Sequence, residues 1–302
     1  MSRTQMHSPV PDRGTEGKAV RNLDPGTVEG FGDEWLRFTQ SGLDEAQKQR
    51  IFDEYFGIFP WHLLPRDGGV GADIGCGSGR WADIMAARAG HLHLIDASEA
   101  ALHVAQENLS GRKNVSFHHA SVDDMPFPDG SLDFAYSLGV LHHVPDTGQA
   151  IRSIARKLRP GAPFLVYLYY AFDNRPGWFR LLWRMSDIVR QGISRMPKPA
   201  RYLLSQVIAG LIYWPLARLG LVLDRLSLLP SAWPLAYYRE KSFYVMRNDS
   251  LDRFGTRLEK RFTRGQIKAM IEASGFVDIR FSETPPFWCA VGIKSADAHI
   301  TG

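Results

Sequence analysis

Cysteine is scarce in this sequence. Only two cysteines occur among the 302 residues, Cys76 and Cys289, and neither stands at metal-ligand spacing from other cysteines or histidines. A disulfide framework needs several paired cysteines, and a structural zinc site needs a ligand-spaced cluster. We therefore expect neither disulfides nor a bound metal, and a reducing compartment fits the composition.

Long apolar stretches are also missing. No run of about 18 uncharged apolar residues occurs, and no apolar signal region follows Arg3. These absences predict a cytoplasmic protein without a membrane-spanning helix. Neither zinc-finger spacing nor the strand-borne aromatic signature of an RNA-binding module is present, so nucleic acid is not favoured as a partner despite the net charge of +4.

The charge is unevenly distributed along the chain. Residues 172–268 contain 18 Lys and Arg against 7 Asp and Glu, a net charge of +11, which leaves −7 for the remainder. Such an asymmetry predicts an acidic catalytic body with a basic insertion.

One short stretch, Val70 to Arg80, has the sequence VGADIGCGSGR. An apolar run is followed by glycine at alternate positions and then by a good helix former, which predicts a strand, a tight turn and a helix. The spacing D-x-G-x-G-x-G differs from the G-x-G-x-x-G of dinucleotide-binding proteins, so a dehydrogenase is disfavoured.

The stretch DIGCGSG resembles the first motif of the class I S-adenosylmethionine-dependent methyltransferases. Asp96, which lies 17 residues beyond Gly79, resembles the acid of the family's second motif. The resemblance covers residues 65–171 and 262–295. It implies an α/β fold with a Rossmann-like, doubly wound, seven-stranded sheet whose last strand is antiparallel, here with a helical insertion after the fifth strand. The implied cofactor is S-adenosyl-L-methionine.

The resemblance also implies a set of cofactor-binding residues. An acid at the second strand tip accepts the ribose hydroxyls. Relatives carry a further acid that meets the adenine amine, but this chain has Ser121 at that position. Either Ser121 or Asp123 could accept from the amine, and the Val122 N–H could donate to a ring nitrogen. The implied residues are Asp73, Gly75, Cys76, Gly77, Gly79, Asp96, Ala97, Ser121, Val122, Asp123 and Ser137.

A catalytic base is needed only if the acceptor is an amine or an alcohol, because a phenol or a carboxylate can arrive ionised. His142 and His143 follow the fourth predicted strand, and Tyr136 lies within it. In relatives such histidines often have a structural role, and Tyr167 and Tyr169 are further candidates. The sequence singles out none of them, and a metal role for the histidines is disfavoured.

The predicted organisation has four parts: a disordered segment (1–27), a helical lid (28–66), a methyltransferase core (67–171 and 262–296) and a helical aromatic and basic cap (172–261). Residues 297–302 are predicted to be a frayed tail. Trp35 and Phe38 either line the lid or belong to its core. The cap is interpreted as an acceptor pocket, as a peripheral membrane element or as an ordinary helical subdomain.

The function predicted from these observations is S-adenosylmethionine-dependent methylation of a small aromatic or amphipathic acceptor, which could be acidic. O-, N- and C-methylation stay open, as does the oligomeric state. The alternatives are a non-catalytic cofactor-binding module of the same fold, and a membrane-surface methyltransferase of a lipid-like substrate.

Overall fold

The computed structural model describes residues 22–40 and 44–296. At its centre is a seven-stranded sheet of order β3-β2-β1-β4-β5-β7-β6. The first five strands pair in parallel, and the seventh runs antiparallel to both of its neighbours. The strands are β1 (Val70–Ile74), β2 (His91–Asp96), β3 (Val115–His119), β4 (Phe134–Leu138), β5 (Pro163–Tyr167), β6 (Phe276–Phe281) and β7 (Cys289–Lys294).

This topology confirms the predicted fold class. The strand order reverses between β1 and β4, so the connections that follow these two strands leave towards opposite sides and open a crevice at the edge of the sheet. In open α/β sheets ligands bind in the crevice outside the strand ends at such a switch point. The glycine-rich stretch follows β1 and therefore lies at this position.

Helices cover the sheet and continue into a helical segment between β5 and β6. Side chains cap the first turns of two helices: the Ser98 hydroxyl accepts from the Ala101 N–H, and Thr263 forms a capping box with Gln266. The helices are α1 (Pro25–Arg37), α2 (Glu45–Phe56), α3 (Ala82–Ala86), α4 (Glu99–Asn108), α5 (Thr147–Lys157), α6 (Gly177–Ile193), α7 (Lys198–Ile208), α8 (Trp214–Arg225), α9 (Phe243–Gly255) and α10 (Arg264–Ala273).

The segment between β5 and β6 contains α6 to α9. A π-helical turn, Ala209–Tyr213, joins α7 to α8. The resulting helix, Lys198–Arg225, is long and apolar enough, by length and composition alone, to cross a membrane. The sequence predicts helices in this segment but none that spans a membrane, because Gln206, Pro215 and Arg218 interrupt the apolar run. Ile193, Tyr213, Ala217, Met246 and Phe254 form a small core between these helices, and the predicted cap boundaries remain a prediction.

The predicted disordered segment mostly lies outside the described residues, as does the predicted frayed tail. The last residues of the predicted disordered segment, however, have a defined structure. Helix α1 begins at Pro25, and the Asp24 side chain caps it by accepting from the Thr27 N–H at 2.7 Å. The boundary at residue 27 was therefore wrong, because the Asp-Pro pair is itself a helix start signal.

A substitution at Gly71 in β1 can test the packing at the centre of the sheet. A Cβ at this position would lie 2.0 Å from the Phe134 ring on the neighbouring strand. We expect Gly71→Ala to lower the free energy of unfolding by about 1–3 kcal/mol, because the ring is fully buried and the core must be overpacked. Gly111→Ala is the matched control, since its Cβ would meet nothing within 4 Å. Urea denaturation checks both, and equal stability of the two variants would contradict the packing described.

Candidate active site

The turn after β1 is a backbone cradle that only glycine fits. Gly75, Gly77 and Gly79 have φ angles of 77°, 53° and 74°, a region that other residues rarely adopt. A Cβ at Gly75 would lie 2.4 Å from the Val140 side chain, and one at Gly77 would lie 2.7 Å from the Trp35 indole. The turn is tied to the neighbouring strand because the Gly75 and Cys76 N–H groups donate to the Ile95 carbonyl.

Asp96 lies at the tip of β2, directly against this turn. Its Oδ2 accepts from the Gly77 N–H at 2.9 Å, and its Oδ1 accepts from the Ser98 N–H at 2.8 Å. Burial raises the pKa of the Asp96 carboxyl, while the two N–H donors oppose that shift. The structure thus brings together the glycine turn and the acid that sequence reasoning paired with it.

Asp73 faces a tyrosine below the turn. Its Oδ2 accepts from the Tyr136 hydroxyl at 2.9 Å, and both side chains are buried. Burial raises the pKa of Asp73 to about 8, and the hydrogen bond from Tyr136 only partly offsets that effect. Tyr136 is therefore held inside the core by Asp73 and does not line the cavity described next, which argues against its candidacy as a base.

A cavity of about 130 Å³ lies between the glycine turn, the ends of β2, β3 and β4, and the covering helix α1. Seven predicted site residues line it: Gly75, Cys76, Asp96, Ala97, Ser121, Val122 and His143. A larger depression of about 550 Å³ beside Phe59 and Arg264 is more open and contains none of the predicted residues. The smaller cavity is therefore the candidate active site.

Other predicted site residues lie behind the cavity wall. The Ser137 hydroxyl donates to the Ile74 carbonyl at 2.8 Å, and Asp123 accepts from the Asn22 N–H at 2.8 Å. Each of these bonds fixes a part of the cavity frame. The predicted residues that do not line the cavity are Asp73, Gly77, Gly79, Asp123, Tyr136, Ser137 and His142.

The roof of the cavity is α1. Trp35 and Phe31 line the cavity from this helix, whereas Phe38 is buried against Tyr244 of α9. Trp35 therefore lies on the cavity side of this helix, whereas Phe38 lies in the core. A drug-sized ligand usually needs roughly 300–1,000 Å³. Because Trp35 packs directly on Gly77, α1 has to move outward for such a ligand to enter.

Two buried polar atoms in the cavity wall fit a nucleoside ligand. The hydroxyls of Ser78 and Ser121 are buried and have no hydrogen-bond partner among the described residues. Buried polar groups without a partner are costly, so such a pair indicates a site that a polar ligand completes. Together with the glycine cradle and the Asp96 carboxylate, these hydroxyls fit the adenosyl part of S-adenosylmethionine.

His143 extends from the cavity towards α9. Its Nδ1 lies 2.6 Å from the Leu258 carbonyl, which assigns the proton to Nδ1 and leaves a lone pair on Nε2. Nε2 has no hydrogen-bond partner in the described part of the chain and lies 3.9 Å from Asp252 Oδ1. Burial lowers the pKa of His143, although Asp252 opposes the shift. The ring is therefore neutral at pH 7 and able to accept a proton.

His142 has a different environment. Its ring is fully buried and lies 3.8 Å from the ring of Tyr169, with neither nitrogen hydrogen-bonded within the described ranges. Burial lowers its pKa well below the ordinary value, and His143 and Arg261 lower it further. His142 does not line the cavity, so a structural role for it is better supported than a role as a catalytic base.

Sequence reasoning missed an acidic cluster opposite the strand tips. Asp249 and Asp252, three positions apart on α9, lie close enough to Glu34 of α1 to add to the rise in its pKa that burial causes, and Asp252 adds in the same way to that of Asp249. Burial raises the pKa of Asp249 to about 6, and that of Glu34 well above its ordinary value. The Tyr169 hydroxyl donates to Asp252. The i, i+3 spacing of two acids on a basic insertion is the signal that could have found this cluster.

One part of the chain is similar to a known protein family. Residues 72–166 match the protein family described as "Methyltransferase domain". Residues 72–166, about a third of the chain, are thus similar to a methyltransferase domain. The match includes the glycine turn, Asp96 and His143, and it ends within β5.

Three curated relatives share the methyltransferase domain. A ubiquinone biosynthesis O-methyltransferase of Aromatoleum aromaticum is 41% identical over 92 residues, which cover 30% of this chain and 39% of that protein. A 27-O-demethylrifamycin SV methyltransferase of Amycolatopsis mediterranei is 35% identical over 127 residues (40% and 45%). A demethylmenaquinone methyltransferase of Listeria welshimeri is 34% identical over 111 residues (35% and 47%). The chain spans less than half the length of each relative.

The raised pKa of Asp73 predicts a pH dependence of stability. Because the folded protein holds this proton more tightly than the unfolded chain, whose Asp pKa is 3.8, the contribution of Asp73 to stability falls as pH rises from 3.8 to about 8. Asp73→Asn keeps an oxygen for the Tyr136 hydroxyl and removes the titration. We expect it to lose less thermal stability than the parent between about pH 5 and about pH 8.

Thermal melts of the parent, Asp73→Asn and Asp129→Asn check this expectation. Asp129 is an exposed carboxylate paired with Lys157, so its variant is expected to follow the parent. Parallel melting curves for Asp73→Asn and the parent across this range would show that Asp73 does not titrate there.

Proposed function

We propose that this protein transfers a methyl group from S-adenosylmethionine to a small aromatic or amphipathic molecule. The observation that carries the proposal is the cavity in which the glycine turn, Asp96 and the unpartnered Ser121 hydroxyl meet at the switch point of a methyltransferase domain.

The cavity residues have distinct proposed roles in holding the cofactor. Asp96 would accept hydrogen bonds from the two ribose hydroxyls. It would use the carboxylate lone pairs that do not accept from the Gly77 and Ser98 N–H groups. Ser121 would accept from the adenine amine in place of the acid found in relatives, and the Val122 N–H would donate to the ring. When bound, the cofactor supplies a methyl group on a positively charged sulfur that is its own leaving group.

Positioning and exclusion of water are then the main tasks of the protein. Aligned proximity of two reactants contributes about 7–11 kcal/mol towards the barrier. Helix α1 covers the cavity with Phe31 and Trp35, and Asn248 of α9 fixes this helix by donating to Glu34. A closed site also keeps water away while the charge on the sulfur disperses.

His143 is the proposed general base for an acceptor that carries an O–H or N–H. Its Nδ1–H is held by the Leu258 carbonyl, so Nε2 is free to remove the proton as the methyl group arrives. The Asp252 carboxylate, 3.9 Å away, would stabilise the imidazolium that forms. This assigns to His143 the role that the sequence left open among Tyr136, His142 and His143.

The polar groups near His143 restrict the proposed acceptor. Asp252, whose Oδ1 lies 3.9 Å from His143 Nε2, would repel a negatively charged group bound beside that ring. We therefore favour an acceptor that is neutral or positively charged at this end over an acidic one. Two relatives are named for quinone substrates or pathways and one for a rifamycin, which agrees with an aromatic, hydroxyl-bearing acceptor.

Cofactor binding tests the first part of the proposal. Asp96→Asn keeps the shape of the side chain but removes its charge, so we expect S-adenosylmethionine to bind at least about 10-fold more weakly, as the loss of charge-assisted hydrogen bonds requires. Isothermal titration calorimetry measures the affinity, with Asp129→Asn as the surface control. No saturable binding to the parent protein would end the proposal.

Substitution of His143 tests the second part of the proposal, its role as the general base. In an assay with a panel of phenol, catechol and amine acceptors, we expect His143→Gln to lower kcat by about 10²- to 10⁴-fold with little change in cofactor affinity. The parent should lose activity on the acid side of the profile, below the ordinary His pKa, and the variant should not. His142→Gln is the matched control and should lose activity at acid pH as the parent does.

Binding without turnover on any acceptor would favour the alternative, a non-catalytic cofactor-binding module. An unchanged pH profile in His143→Gln would instead leave the transferase standing and remove His143 as its base.

A further inference from the structure

Large apolar side chains are exposed almost entirely in one part of the molecule. Twenty are exposed among the described residues, and sixteen of these lie between Trp178 and Leu228, a sixth of the chain. Single exposed apolar residues are ordinary, but a concentration of this kind marks an interaction surface. We call these sixteen side chains on α6, α7, α8 and the adjoining turns the apolar face.

The apolar face follows helical spacing on α6. Trp178, Leu181, Met185 and Ile188 lie on one side of this helix, and Ile188 is 71% exposed. The opposite side carries Arg190, which is buried and donates to the Thr256 carbonyl. Helix α6 is therefore fixed to the protein on one side and leaves an apolar stripe free on the other.

The helix Lys198–Arg225 repeats this arrangement. Leu203, Val207 and Leu211 recur every fourth residue and are 63%, 44% and 73% exposed. Between them, Ser205 and Ala209 are fully buried on the side that packs against α9. The two helices thus present separate apolar stripes, and each is anchored from behind.

Basic residues accompany the apolar face. Residues 177–228 contain eight Lys and Arg but only two acids, Asp187 and Asp224. Arg180, Arg184 and Arg225 are exposed and form no ion pair in the part of the chain that the structure describes. Apolar stripes bordered by free arginines are typical of helices that lie in the headgroup region of an anionic bilayer.

We propose that the apolar face docks on the surface of a bilayer containing anionic lipids. A second copy of the chain is the less suitable occupant, because a symmetric dimer through this face would bring two strongly basic surfaces together. The docking does not depend on catalysis. Its consequence for the acceptor, which would be drawn from the bilayer, rests on the proposed function.

The orientation follows from the contacts of the long helix. Arg201 donates to the Gly255 carbonyl, and Arg218 donates to the carbonyls of Arg239 and Lys241. These bonds hold one flank of the helix against the protein along most of its length. Although the helix is long enough to cross a bilayer, a helix held in this way lies flat in the interface with its free flank towards the lipid.

Flotation of the full chain with vesicles tests the proposal. We expect binding to vesicles of phosphatidylcholine with about one third phosphatidylglycerol to be at least about 10-fold tighter than to phosphatidylcholine alone, and to weaken as salt increases. Ile188→Ser/Leu211→Ser should lower the binding at least about 10-fold. Its matched control is Leu63→Ser/Val277→Ser, which removes two exposed apolar residues elsewhere.

A second pair of variants tests the electrostatic part. Arg180→Glu/Arg184→Glu should abolish the preference for anionic vesicles, whereas Arg66→Glu/Lys113→Glu, at two exposed basic positions away from the apolar face, should preserve it. Circular dichroism establishes that each variant is folded. Equal flotation of the face and control variants, or no flotation of the parent, would overturn the proposal.

Two further measurements separate this proposal from its competitors. If sedimentation shows a dimer that Ile188→Ser/Leu211→Ser converts to a monomer, and no vesicles are bound, the face is a subunit interface and the bilayer proposal is wrong. Titration of S-adenosylmethionine without vesicles tests the proposed function by itself. Vesicle binding without cofactor binding would refute the transferase and leave the docking intact, and the reverse result would refute the docking alone.

Discussion

The hydrogen bond from the Gly77 N–H to the Asp96 carboxylate fixes two neighbouring strand tips relative to each other. It spans 2.9 Å and joins the turn after β1 to the end of β2, so the glycine cradle and the acid keep a constant geometry. Glycine at position 77 is required twice, by its positive φ and by the Trp35 indole that lies against it. The floor of the cavity, the proposed ribose contact and the packing of Trp35 therefore all depend on the backbone of Gly77.

Helix α1 is held by α9 as well as by α4. On one side, α1 approaches α4 so closely that a Cβ at Gly32 would lie 2.8 Å from the Ser98 hydroxyl. On the other, Asn248 of α9 donates to Glu34 at 2.7 Å and accepts from Gln40 at 2.8 Å. A buried amide that satisfies both partners orients them strongly. Residues far apart in the sequence thus close one cavity together.

Much of the sheet and half of the cavity could be predicted from the sequence because the signals are local. The apolar strand, alternate glycines and following helix specify the turn without reference to distant residues, and Asp96 follows at the next strand tip. The lining by Phe31 and the hydrogen bond between His143 and the Leu258 carbonyl depend on how α1 and the segment between β5 and β6 pack. Tertiary contacts of this kind leave no periodic signal in a single sequence.

Ser137 and Asp123 show what a motif leaves open. The resemblance implies that both contact the cofactor, yet neither lines the cavity: the Ser137 hydroxyl donates to the Ile74 carbonyl, and Asp123 accepts from the Asn22 N–H. A motif match places a residue near a site, but the hydrogen-bond partners decide whether its polar atoms are available to a ligand. The unpartnered Ser121 hydroxyl meets this criterion, even though it is the position at which the sequence departs from the family pattern.

The apolar face and the cavity are connected through a shared set of helices. Lys198 at the start of α7 pairs with Glu29 of α1 at 2.6 Å, and Arg37 of α1 lies over the Tyr202 ring of α7 at 4.4 Å. The exposed ion pair contributes little to stability, so the connection rests on the packing of α1 and α7 against α9. The cavity is too small for a nucleoside while Trp35 covers Gly77, and any outward movement of α1 changes these contacts. Access to the cavity and the position of α7 are therefore structurally coupled, whichever surface α7 contacts.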